Sequence, residues 1–193
     1  MILTKNYNEP PICEKEILRY AGCKEAKTET LDLLSTCINE SKPLLSYKVC
    51  YKKFPLIINE YDCEFGSFSF HSKDLSRNLS GCKSAVIFAA TIGIEIDRVI
   101  SKYSHIAPSK AIMLHAIGSE RVEALCDVFC EDIRMHLNTE TKPRFSPGYG
   151  DLSLHYQKDI FSVLCPEKQI GLYLNDNLLM IPSKSVTAII GLK

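Results

Sequence analysis

The sequence has no tryptophan, no surplus charge of either sign, no Cys-x-x-Cys pair and no glycine-rich phosphate loop. Lysine plus arginine and aspartate plus glutamate both number 23, and no block of like charge stands out, so the basic footprint of a nucleic-acid binder is missing. The most apolar run, Ala85 to Ile94, is too short to span a bilayer. Met1 to Pro10 is polar and lacks the basic-then-apolar pattern of a signal peptide. Together these features predict a soluble, cytoplasmic protein with neither nucleic-acid nor membrane partners. Walker-type and Gly-x-Gly-x-x-Gly spacings are absent, and Gly118-Ser119 lies inside a helical pattern instead of a strand-to-helix elbow. Nucleotide-loop and serine-hydrolase chemistry therefore lose their usual signatures. The nine cysteines are scattered, odd in number and never spaced Cys-x-x-Cys, which favours reduced thiols over a zinc site or disulfide framework. No histidine spacing suggests a metal, so none is expected. Missing tryptophan alone excludes no function.

What is present predicts an α+β fold, a mainly antiparallel twisted sheet packed with helices. At 193 residues the chain is long enough for one large domain, with residues 1–43 forming a helical segment packed on the α+β body. Helices are predicted at Cys13 to Cys23 and at Thr28 to Ser41, the latter from Leu31, Leu34 and Ile38 with Pro43 as the stop. Leu44 to His71 predicts two or three strands, Ala85 to Thr91 a buried central strand, and Glu95 to Tyr103 a helix. The longest element should run from Pro108 to about His136, roughly 40 Å at 1.5 Å per residue. A helix at His155 to Leu164, a strand at Ile170 to Leu174 and an apolar tail from Val186 to Leu192 complete the pattern.

Pro143-Arg-Phe-Ser-Pro-Gly-Tyr-Gly150 is the most informative string. Pro147-Gly148 suits the centre of a type II turn, proline fixing φ at the first position and glycine accepting a positive φ at the second. Arg144 offers a fork of donors for a carboxylate, and Tyr149 a ring face that attracts cations. A zwitterionic or sulfonium ligand would suit both. An ordinary surface turn would carry the same residues, so the octapeptide needs support elsewhere. Glu123 supplies some, because Ser119, Cys126, Asp127 and Cys130 lie at helical spacing from it and leave a face of mainly small residues. Cys126 and Cys130, one turn apart, read more simply as buried thiols than as ligands. In Met180-Ile-Pro-Ser-Lys-Ser-Val186, Ser183 or Ser185 is expected to cap a following turn.

Taken together, Arg144 to Tyr149, Ile170-Gly-Leu-Tyr-Leu174 and Met180 to Val186, preceded by the helix that carries Glu123, resemble the activation domain of cobalamin-dependent methionine synthase. The similarity is strongest from about Ala111 to Leu192. The resemblance implies binding of S-adenosylmethionine and donation of its methyl group during reductive reactivation of cob(II)alamin. It also implies a flavodoxin-like electron donor. By position, Arg144 would hold the ligand carboxylate, the backbone around Ser146 and Gly148 would meet the adenine end, and Glu123 would bind a polar group. Tyr149, next to the sulfonium and the corrin, is the expected catalytic residue. The chain carries no cobalamin-binding or homocysteine-binding module, so the cobalamin is expected on a separate methionine synthase chain, served in trans. It stops at Lys193, where such domains continue into another strand, and the family's N-terminal acidic contact has no clear counterpart. Two other functions fit the same residues: a non-catalytic accessory protein of this fold, and a methyltransferase for an unrelated small molecule.

Overall fold

The elements of the computed structural model run β1 (Leu3–Tyr7), α1 (Glu14–Tyr20), α2 (Thr28–Ser41), β2 (Tyr47–Pro55), β3 (Ile57–Asn59), β4 (Asp62–Glu64), β5 (Ser69–His71), α3 (Lys73–Leu79) and β6 (Ser84–Thr91). They continue through α4 (Glu95–Ile106), α5 (Pro108–Leu137), α6 (Gln157–Leu164), α7 (Pro166–Ile170), β7 (Tyr173–Leu174), β8 (Met180–Ile181) and β9 (Ser185–Leu192). The structure describes residues 1–23, 25 and 27–193.

β6 explains the layers. Its sequence, Ser-Ala-Val-Ile-Phe-Ala-Ala-Thr, is apolar on both faces, so both must be covered. It sits inside a four-stranded antiparallel sheet of order β1-β2-β6-β9, with Phe88 opposite both Tyr51 and Ala188. On one face Val86, Phe88 and Ala90, with Ala188 and Ile190 of β9, pack against Ile117, Leu125 and Phe129 of α5. On the other, Ala85, Ile87, Ala89 and Ile189 pack with Phe70, Leu75, Ile160 and Leu164. Each of the Val, Leu, Ile and Phe side chains among them contributes about 1.5–3 kcal/mol on burial.

α5 extends over 30 residues, about 45 Å at 1.5 Å per residue. Pro108 opens it at a position that requires no N–H partner. Asn138, with φ 45°, closes it in a left-handed cap, the Asn138 and Thr139 amides donating to the carbonyls of Met135 and Arg134. That sharp stop turns the chain back along the outer edge of β9. The Lys142 amide donates to Gly191 O at 2.9 Å, and Phe145 and Ile189 exchange bonds of 2.9 and 2.8 Å. The octapeptide is thus laid beside β9 by backbone pairing.

The N-terminal segment is strapped to α5 by an ion pair that is out of solvent. Arg121 and Glu120 are 1 % and 4 % exposed and joined at 2.5 Å. Arg121 also donates to the carbonyls of Pro10 and Pro11, each at 2.6 Å, while Glu120 accepts the Cys13 amide at 3.0 Å.

Several expectations need correction. The first 43 residues are not purely helical, because Leu3–Tyr7 forms the edge strand β1, its mostly exposed side chains leaving no apolar stripe in the sequence. α1 is shorter than Cys13 to Cys23, and its last turn gives way at Ala21. Leu44 to His71 holds four strands instead of two or three, and Phe65 turns toward Phe68 through a 2.8 Å backbone bond instead of continuing a strand. Ile170 ends helix α7, initiated by Pro166 and terminated at Gly171 with φ 72°, so only Tyr173–Leu174 of the expected strand is extended. Neither serine caps a turn at 183–185. The Ser183 hydroxyl donates to Asp97 at 2.8 Å, and Ser185 lies inside β9, its hydroxyl donating to the Pro182 carbonyl and accepting from the Thr91 hydroxyl.

Candidate functional site

Ser146-Pro147-Gly148-Tyr149 forms the expected turn. The Tyr149 amide donates to Ser146 O at 3.2 Å, and Gly148 takes φ 92°, a region that side chains disfavour. The Gly148 amide donates to Leu152 O at 2.8 Å, which folds the loop onto itself. Its far end is held by Asp151, whose carboxylate accepts the Ser72 hydroxyl and the Lys73 and Asp74 amides at 2.9 and 3.2 Å. The Ser72 bond and those amides hold the Asp151 carboxyl below its usual range. One end of the octapeptide is therefore paired to β9 and the other capped onto α3.

This placement carries Arg144 across to α5. Nη2 donates to Glu123 Oε2 at 2.5 Å, and Nη1 donates to Asp127. Two other basic residues of α5 are engaged elsewhere, Arg121 with Glu120 and Lys110 with Glu40 at 2.6 Å. Burial opposes the Arg144 charge, but the bonds to Asp127 and Glu123 outweigh it and raise the guanidinium further above its ordinary value. It stays cationic at every physiological pH. A guanidinium has five N–H donors, and these two bonds leave donors free for another carboxylate.

Arg144 and Glu123 stand between two clefts. The first, about 770 Å³, is lined by Glu123, Arg144, Ser146, Tyr149, Gln157 and Thr187, with Lys142, Met180 and Cys130 also on its wall. The second, about 780 Å³, lies between the N-terminal segment and α5, and includes Pro10, Glu16, Tyr20, Asp127 and Met135. Tyr149 is 68 % exposed at the first cleft, free to meet a ligand or a partner surface. Burial pushes the Cys130 and Cys126 thiols up, so neither supplies a thiolate. Among the described residues no cluster of acidic, histidine or cysteine side chains could hold a metal. No described helix is long and apolar enough to cross a membrane.

Of the residues singled out in the sequence, Glu123, Arg144, Ser146 and Tyr149 converge on the first cleft. Gly148 shapes the turn and is not part of the lining. Asp127 was visible only as a helical neighbour of Glu123, yet it holds half of the Arg144 fork. Gln157 and Thr187 carry no sequence signal, since their place in the cleft depends on how α6 and β9 pack. Glu16 is an N-terminal carboxylate on the wall of the neighbouring cleft.

No curated protein matches the chain. Its fold is similar to the crystal structure of the MetH reactivation domain bound to AdoHcy, with a TM-score of 0.76 at 15 % identity, over 99 % of this chain and 78 % of that one. The family model for the activation domain of vitamin B12 dependent methionine synthase matches residues 75–192, a span holding α5, the octapeptide and β9. The chain therefore belongs to the vitamin B12 dependent methionine synthase activation-domain family.

Proposed function

We propose that this protein binds S-adenosylmethionine in the cleft beside Arg144 and supports reductive methylation of cob(II)alamin carried by a separate methionine synthase chain. The observation that carries the reading is the convergence of Glu123, Arg144, Ser146 and Tyr149 on one cleft in a chain of this family. The similar MetH domain holds AdoHcy, the demethylated form of that ligand.

The chemistry of the cleft fits a zwitterion with a sulfonium. The free N–H donors of Arg144 take the α-carboxylate, which prefers a bidentate fork. Glu123, already fixed by Arg144, accepts from a ligand ammonium or hydroxyl. The Ser146–Gly148 turn, held at both ends, presents backbone groups to the adenine end at no cost in loop ordering. Tyr149 stands in the role of catalytic residue, its exposed ring facing the sulfonium and the docked corrin.

The sulfonium methyl is already activated, so the chain's task is alignment and exclusion of water. A flavodoxin-like donor supplies the electron. Residues 1–193 act as one cytoplasmic unit in this scheme. The test mixes the protein with a cob(II)alamin-loaded methionine synthase chain, reductant and S-adenosylmethionine, and follows methylcobalamin by absorbance. Methylcobalamin should appear only with all components. A flat spectrum despite a demonstrated complex would leave an accessory protein without methyl transfer, and turnover on a small molecule without any corrinoid would point to an ordinary methyltransferase.

A further inference from the structure

Buried polar atoms nearly always find partners, because leaving one dry and unpaired costs more than a typical hydrogen bond returns. Two that find none lie in the same cleft. Gln157 and Thr187 are 5 % and 2 % exposed, and both line the cleft beside Arg144. Gln157 Oε1 and Thr187 Oγ1 have no hydrogen-bond partner among the described residues.

Their positions are fixed by different elements. Gln157 is the first residue of α6, held by Ile160 and Leu164 in the core beneath the sheet. Thr187 belongs to β9 and, two positions from Ile189, shares the face that Ile189 turns to that same core. Phe145 pairs with Ile189, so in antiparallel register Thr187 lies beside Pro147 at the turn, while Arg144 lies on the opposite side of Phe145. The two residues thus line the turn end of the cleft, away from the carboxylate-binding fork.

We infer that Gln157 and Thr187 form a base-reading pair that selects a ligand with an exocyclic amine, as in the adenine of the proposed S-adenosyl ligand. Gln157 Oε1 accepts from the amine, its amide nitrogen donates to the adjacent ring nitrogen, and Thr187 supplies a hydroxyl that bonds either ring or ribose. Glutamine is suited to this because its amide matches the donor–acceptor edge of adenine in two bonds. The inference rests on the proposed function, which supplies the nucleoside.

A site built to bond an amine rejects an analogue lacking it, since its own polar groups are then left unpaired. The test uses S-adenosylhomocysteine and S-inosylhomocysteine, which differ by an amine against a carbonyl, in calorimetric titrations of the wild type, Gln157→Leu and Thr187→Val. Wild type should prefer the adenosyl compound by at least about ten-fold. Gln157→Leu should bind it roughly 5–30-fold more weakly and lose most of that preference, with Thr187→Val in between. Without ligand, Gln157→Leu should melt at or above the wild-type temperature, because it removes an unpaired buried acceptor. Loss of affinity with no loss of stability is the signature of a ligand contact. Equal binding of S-adenosylhomocysteine by wild type and Gln157→Leu would overturn the base-reading pair and leave the proposed function standing. A marked fall in the melting temperature of Gln157→Leu would also overturn it, since the amide would then be paired within the protein. Absence of any binding by wild type would overturn both readings.

Discussion

Replacing Arg121 with methionine should destabilise the protein by about 3–5 kcal/mol, the cost of stranding a buried carboxylate. The arginine is 1 % exposed, so water does not take over its bonds. Its removal leaves Glu120, 4 % exposed, with only the Cys13 amide, and it leaves the Pro10 and Pro11 carbonyls without their donor. Replacing both Arg121→Met and Glu120→Leu should recover much of that loss, because no lone charge remains. A comparison pair sets the scale. Arg134 and Glu131 are also joined at 2.5 Å, but at 57 % and 50 % side-chain exposure, and their removal should leave stability nearly unchanged. Urea unfolding of the four proteins of the cycle measures these terms. In thermal scans the single mutant should melt about 6–20 °C lower, taking about 2–4 °C per kcal/mol for a chain of this size. An Arg121→Met protein within 1 kcal/mol of wild type would refute the reasoning, as would a double mutant less stable than the single one.

Three further outcomes follow from the structure. Burial pushes the Lys184 ammonium down from 10.5 to about 8, partly against the attraction of Asp97, so between those pH values the unfolded chain binds more protons than the folded one. Stability from this residue therefore rises with pH across that window; Lys184→Met should lack the rise and be about 1–3 kcal/mol more stable at pH 7, read as the difference between two urea series. Gly148→Ala should destabilise the protein by about 1–2 kcal/mol, since φ 92° is strained for alanine and its Cβ would stand 3.2 Å from Leu154 Cδ1; unchanged thermal unfolding would contradict that. Tyr149→Ala should lower methyl transfer to the corrinoid partner with unchanged stability, its ring being 68 % exposed, whereas Tyr149→Phe should retain most of the rate because the ring face persists.

Much of this fold could be read from residue order, and the parts that could not share a physical cause. α5 was legible because Met113, Ile117, Leu125, Phe129 and Ile133 repeat on one face and Asn138 stops them. β6 was legible because it is apolar on both faces. β1 was not, since an edge strand with four exposed residues needs no alternation and draws its order from pairing with β2. α3 had a local signal, Ser72 accepting the Leu75 amide at 3.0 Å, but its position also depends on Asp151 from far along the chain. The candidate site divides in the same way. The turn at Pro147-Gly148 and the donors of Arg144 belong to the residues themselves, whereas the Arg144 partnership with Glu123 and Asp127 bridges 21 and 17 positions and exists only once β9 has carried the octapeptide to α5. Gln157 and Thr187 are ordinary polar residues until packing deprives them of partners.

The central claim is that Arg144 anchors S-adenosylmethionine, and calorimetric titration of that ligand into wild type and Arg144→Ala tests it most directly. Saturable binding at one site by wild type, weakened about 10–100-fold in the folded variant, is the expected result for loss of a charged fork. No binding by folded wild-type protein, or equal binding by both proteins, would contradict it.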